Sequence, residues 1–174
     1  RPSAAASRRL ALLAQRAGYD ADGGELVAVH IRRGDKTTNP YNRYHAASEY
    51  VGEIARAASQ LRLCGGGRGD RRCQLFVASD WVGALSETTE ALERLGMHGR
   101  FRAFGQARSE TQLRSATGVE LATSMSGDDA AYDMAMEVLF DIEMLSRARI
   151  VVGTLASQVT RVACSLGSAR GTLR

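Results

Sequence analysis

Three polar clusters in this chain have the residue types and spacing to grip a phosphate-bearing ligand. The first is His30-Ile31-Arg32-Arg33-Gly34-Asp35-Lys36, which sets three cations within five residues directly behind an apolar run. Guanidinium forks match phosphate oxygens in pairs, and a lysine ammonium adds a point charge. Asp35, between the cations, can fix the geometry of one of them. Lys36 is the single lysine among 23 Lys and Arg residues, which draws attention to its position. A solvated basic turn is the competing reading, though four charges straight after a buried strand are less typical of it. The second cluster is Ser79-Asp80, also behind an apolar run. Asp80 either caps a helix beginning at Trp81 or holds a ribose or base. The third is Gly153-Thr154-Leu155-Ala156-Ser157-Gln158, at the opening of a helix. Free backbone N–H groups and the helix dipole favour an anion there. An ordinary N-cap by Thr154 or Ser157 is the simpler alternative.

These clusters need elements to position them, and the hydrophobic pattern supplies alternating strands and helices. Leu26 to Ile31 is nearly continuous apolar sequence, as a strand buried on both faces reads. Further strands are predicted at Gln74–Ala78, Phe101–Phe104 and Ile150–Val152. Helices are predicted at Ser3–Ala17, with Leu10, Leu12 and Leu13 as its apolar side, and at Ala46–Leu63 through Tyr50, Ile54, Ala57, Ala58 and Leu61. Others follow at Trp81–Leu95 and at Asp129–Ser146, the latter with Met134, Val138, Leu139, Ile142 and Leu145 inward. A last helix runs over Ser157–Leu166 and is stopped by Gly167. Residues Gly105 to Gly127 are ambiguous and include a long loop. The alternation predicts an α/β fold, a Rossmann-like parallel sheet with helices on both faces. Ligands of such sheets bind beyond the carboxyl ends of the strands, so the three clusters are expected to line one crevice.

The 174 residues fit one domain with a real core, 44% of the residues being hydrophobic. The net charge of +4 suits a phosphate ligand without requiring one. No recognisable motif or aromatic stacking platform supports a nucleic-acid partner. Cys64 and Cys73 bracket a Gly-rich loop over residues 64–73; they form either a disulfide in an oxidising compartment or two free thiols, and Cys164 is left over. Gly65-Gly66-Gly67 lacks the Gly-Lys-Ser/Thr of a P-loop and precedes a strand. No CxxC or paired-histidine spacing marks a metal, and Asp128-Asp129 is not a spaced carboxylate pair. The Arg-Gly-Asp triplets at residues 33–35 and 68–70 are short enough to arise by chance. His45 and His98 read as surface residues, with His45 also a candidate base. Asp141, inside a predicted helix, reads as a solvated carboxylate.

His30-Ile-Arg32-Arg33-Gly-Asp35-Lys36 resembles the HxRRxDK motif of the alpha-1,6-fucosyltransferases. Val77-Ala-Ser-Asp80 resembles that family's second segment. Asp141-Ile-Glu-Met-Leu-Ser146-Arg-Ala, followed by Thr154-Leu-Ala-Ser157-Gln158-Val-Thr-Arg161-Val-Ala, resembles its third. The segments keep their order and approximate spacing over residues 26 to about 166. The first motif also occurs in alpha-1,2- and protein O-fucosyltransferases; the SQVxRVA ending favours the alpha-1,6 type.

The resemblance implies one half of a GT-B-type glycosyltransferase: a single Rossmann-like domain over residues 1–174, truncated at both ends, with 1–20 as a connecting helix. It implies GDP-fucose as donor, inversion without a metal, no further cofactor and a glycan or glycoprotein acceptor. It places the protein in the Golgi or secretory lumen if the source is eukaryotic, with membrane attachment only through a segment outside this chain. Residue by residue, it puts His30 and Asp141 on the guanine and Arg32 on the diphosphate. Arg33, Asp35 and Lys36 shape the site, Lys36 on the acceptor side, and Tyr50, Asp80, Ser157 and Gln158 line the nucleotide pocket. One departure stands out: the family's glutamate after the lysine aligns with Pro40, and no acid lies between Lys36 and Glu49. With a different loop length His45 or Glu49 takes the base's role; otherwise the base lies outside this chain, or the protein is a catalytically impaired GDP-fucose-binding relative.

Overall fold

The apolar run Leu26–Ile31 is buried along its whole length and forms the central strand, β1. The structure is a computed structural model and describes residues 3–33, 45–65, 72–106, 128–154 and 156–173, the side chains of 128–130 excepted. In chain order the elements are α1 (Ala4–Ala17), β1 (Leu26–Ile31), α2 (Ala47–Gln60), β2 (Cys73–Ser79), α3 (Ala84–Arg94), β3 (Phe101–Gly105), α4 (Asp128–Arg147), β4 (Ile150–Gly153) and α5 (Gln158–Arg170). The strands form one sheet in the order β3-β2-β1-β4, and every pairing is parallel. Parallel strands need crossovers, which here are the helices, so both faces of the sheet are covered.

Side chains alternate across β1 and divide the core in two. Val27, Val29 and Ile31 pack with Val51 and Ile54 of α2 and Ala91 and Leu92 of α3. Leu26 and Ala28 belong to the opposite layer, with Leu13 of α1, Met136, Phe140 and Met144 of α4, and Ala163 of α5. Phe76 of β2 anchors that second layer, edge-on to Phe140 at 5.6 Å and tilted against Phe104 at 5.3 Å. Cys64 and Cys73 are joined as a disulfide tying the end of α2 to the start of β2, while Cys164 is free.

Several boundaries differ from the sequence expectation. Residues 81–83 form a turn, so α3 starts at Ala84 and not at Trp81. The indole lies over that turn: a Cβ on Gly83 would come within 2.4 Å of the Trp81 ring. Helix α5 runs through Gly167 to a left-handed cap at Gly171. Gly167 is a contact glycine, where a Cβ would meet Leu173 at 2.8 Å and the Ser146 carbonyl at 3.0 Å. Leu12, Leu61 and Leu139 are exposed, and α4 buries Met136, Phe140 and Met144 in place of Leu139. Apolar residues cover more than half of that helix's circumference, opposite an acidic stripe at Asp133, Glu137 and Asp141, so spacing alone does not single out the inward face. The expected loop over 107–127 lies outside the described residues.

Candidate functional site at the carboxyl edge of the sheet

Because all four strands are parallel, their carboxyl ends share one edge. Ile31 is in register with Ser79, and His30 with Gly153, so the three polar clusters emerge side by side as expected. The ends of β1 and β2 are clasped together. The Ser79 hydroxyl donates to the Ile31 carbonyl at 2.6 Å and accepts from the Trp81 amide at 3.0 Å. Asp80 Oδ1 accepts the Arg33 backbone N–H at 2.7 Å. Asp80 therefore does not cap α3, whose N-cap is Gly83.

The two adjacent arginines continue β1, whose successive side chains face opposite layers of the core. Ile31 belongs to the layer of α2 and α3, and Arg33, two residues on, stays on that side. Its guanidinium pairs with Glu87 of α3 at 2.5 Å, stacks at 4.7 Å over Trp81, and reaches the His45 carbonyl at 3.4 Å. A buried guanidinium needs such partners, because desolvating the charge is costly. His30 faces the other layer: its Nδ1 lies 2.8 Å from the hydroxyl of Thr160 on α5. Alternation puts Arg32 on that same face, toward α5. Asp35 and Lys36 lie outside the described residues, as does Pro40.

Gly153 lets α5 close on β1. A Cβ there would meet the Thr160 hydroxyl at 2.9 Å and the His30 Cβ at 3.2 Å. Ser157 is the N-cap of α5, yet its side chain makes no capping bond. It is only 2% exposed, and among the described residues its Oγ has no hydrogen-bond partner. A buried polar atom without a partner costs about 1–3 kcal/mol unless something absent from the structure satisfies it. The first N–H groups of any helix likewise lack partners within it. Gln158, the next residue, is exposed at the helix start.

The order β3-β2-β1-β4 reverses direction at β1, and the crevice of such a sheet opens there, between β1 and β4. A cleft of about 550 Å³ occupies that region, lined by Val152, Gly153 and Thr154 from β4 and by His45, Glu49 and Tyr50 at the start of α2. Burial pushes the Tyr50 phenol above its ordinary value; Arg33 pulls it back, while Glu49 and Asp80 add to the rise. Tyr50 thus shares one electrostatic field with the clasped ends of β1 and β2.

Asp141 is not on a solvated face: it is buried, and its Oδ1 accepts from Gln106 Nε2 at 2.7 Å. The same Nε2 donates to the Glu137 carbonyl at 3.0 Å, which places the carboxylate beside the end of β3. Gln106, Glu87 and Thr160 were not singled out from sequence. Thr160 lies inside the SQVxRVA run but at its unspecified position, so the run marks the segment and not the residue. Among the described residues no group of three or more His, Cys, Asp or Glu side chains converges as a metal site would.

Together the sheet order, the helices on both faces and the crevice define a Rossmann-like α/β fold of the kind that binds nucleotides at its carboxyl edge. Over 94% of its length the chain is similar to the crystal structure of NodZ alpha-1,6-fucosyltransferase soaked with GDP-fucose, at 18% identity and a TM-score of 0.50. Two more structures resemble it over the same share: fucosyltransferase NodZ from Bradyrhizobium, at 16% identity and TM-score 0.49, and the NodZ enzyme co-crystallized with GDP, at 17% and 0.48. The chain spans 42% of the length of each. The likeness is one of fold, a fucosyltransferase-like α/β fold. The sequence matches no protein-family model and no curated protein.

Proposed function

We propose that this chain is the donor-binding part of a fucosyltransferase, holding GDP-fucose in the β1–β4 crevice. The observation that carries the reading is the buried, unpartnered hydroxyl of Ser157 at the amino end of α5. A diphosphate oxygen satisfies both that hydroxyl and the free helix N–H groups, and the helix dipole favours its charge. Arg32, on the α5 side of β1, supplies the guanidinium. Negative charge grows on the leaving GDP during transfer, so cations already in place there lower the barrier. In this reading His30 and Asp141 meet the guanine, while Tyr50, Asp80 and Gln158 line the pocket. Arg33 shapes the crevice from behind, and Asp35 and Lys36 complete the cationic turn, Lys36 toward the acceptor. Transfer proceeds with inversion, without a metal, to a hydroxyl of a glycan of alpha-1,6 type.

Calorimetric titration with GDP tests the site, and release or transfer of fucose from GDP-fucose tests the activity. Ser157→Ala is expected to weaken GDP by about 1.5–3 kcal/mol, roughly 10- to 150-fold in Kd, the usual worth of a hydrogen bond to a charged group. Arg32→Ala is expected to abolish transfer with the fold intact. A chain that does not bind GDP, or whose GDP affinity ignores both substitutions, overturns the reading.

A further inference from the structure

Among the described residues the crevice holds a titratable pair that donor binding does not use. His45 Nδ1 lies 2.8 Å from Glu49 Oε2 at the first turn of α2, and both residues line the cleft opposite Gly153 and Thr154. We propose that His45 is the general base that takes the acceptor hydroxyl's proton, with Glu49 as its positioning residue; the proposal rests on the donor-binding reading above.

The geometry prepares the ring from three sides. A carboxylate only accepts hydrogen bonds, so Nδ1 is the donor to Glu49. In the neutral ring the lone pair then sits on Nε2, the nitrogen left to receive a proton. Glu49 is itself held, because its other oxygen accepts the Ala46 N–H at 3.1 Å. Arg33 grips the His45 backbone carbonyl at 3.4 Å, and Tyr50 meets the imidazole edge-on at 6.1 Å. Among the described residues, Glu49 and Tyr50 of α2 are thus the titratable groups with a contact to the ring, and Arg33 from the end of β1 is the charged group on its backbone. The His45 side chain remains 34% exposed, open to a substrate entering the cleft.

In the step, Nε2 takes the proton of the acceptor O–H. The acceptor oxygen's electron pair forms the new bond to the anomeric carbon. The bond from that carbon to the diphosphate oxygen breaks, its electron pair leaving on GDP. The imidazolium then returns its proton to solvent.

The experiment measures GDP affinity and the hydrolysis of GDP-fucose, water acting as the acceptor, on the intact protein. For His45→Ala the expected result is unchanged GDP affinity and a rate lower by roughly 10²- to 10⁴-fold, the usual contribution of a general base. Added imidazole restores part of that rate, which a purely structural loss does not allow. The backbone carbonyl held by Arg33 survives the substitution. Glu49→Gln keeps an acceptor for Nδ1–H and retains most of the rate, whereas Glu49→Ala loses more of it at unchanged KM for GDP-fucose. A His45→Ala chain that hydrolyses like wild type overturns the proposal, as does a loss that imidazole does not restore or a wild-type chain that binds GDP yet releases no fucose. Failure of the wild-type chain to bind GDP instead refutes the donor reading beneath it.

Discussion

Gly153→Ala is the substitution that most directly probes how α5 is seated on the sheet. The added Cβ would stand 2.9 Å from the Thr160 hydroxyl and 3.2 Å from both the His30 Cβ and the Thr160 methyl. Rotating Thr160 does not help, because its methyl and hydroxyl both crowd the new atom, and the His30 Cβ cannot rotate away. Either α5 moves off the sheet or the His30–Thr160 hydrogen bond breaks. Overpacking of this kind costs about 1–3 kcal/mol. For a chain of this size each kcal/mol moves the melting temperature by roughly 2–4 °C, so a fall of roughly 2–12 °C is expected. Gly52→Ala is the matched control: nothing lies within 4 Å of its Cβ position in α2, and removing a helix-interior glycine stabilises by about 0.5–1 kcal/mol. Thermal melts of the three proteins, with GDP affinity measured alongside, provide the test. If Gly153→Ala melts with the parent while Gly52→Ala gains stability, α5 does not bear on β4 and β1 as described, and the placement of Ser157 falls with it.

Phe76→Ala removes a fully buried ring that touches Phe104 and Phe140, and is expected to cost about 3–5 kcal/mol in a urea titration. Breaking the Cys64–Cys73 bond, by Cys73→Ser or by reduction, opens a loop of sequence separation 9; chain entropy predicts a loss of roughly 2–3 kcal/mol, checked by melts with and without reductant. At Glu143, burial alone would raise the carboxyl, but hydrogen bonds from Arg170 and Arg147 outweigh it and hold it below its ordinary value. A depressed carboxyl binds its proton more readily in the unfolded chain, so its stabilisation is present at neutral pH and fades as pH falls through the carboxylate range. Glu143→Gln should flatten the acid limb of stability against pH, and an unchanged limb would remove Glu143 from that role.

Where the hydrophobic signal was unambiguous, the fold was legible in the sequence. The run Leu26–Ile31 admits no face for water, and the strand has those bounds. The shared edge followed from the alternation of elements, since parallel strands must end on the same side. What escaped were features set by contacts distant in sequence. Gly167 reads as a helix stop because glycine ends helices locally; only the approach of Ser146 and Leu173 makes it an interior residue. Trp81 reads as a helix start because nothing nearby shows that its ring is needed over Arg33. Asp141 reads as solvated until Gln106, 35 residues earlier, is brought to it. The division of Arg32 and Arg33 between two faces was implicit in strand alternation, yet a cluster read as a list of charges hides it.

That division has a consequence for how the chain tolerates change. Arg33 is a strut, braced between Glu87 and Trp81, and alternation along the same ribbon assigns Arg32 to the far side. The two identical side chains are assigned their jobs by parity alone. Deleting or inserting one residue within β1 would exchange them, turning Arg33 toward α5 and Arg32 toward α3, and would turn over the strand's two core-facing sets with them. Length, more than composition, is therefore what this strand cannot give up.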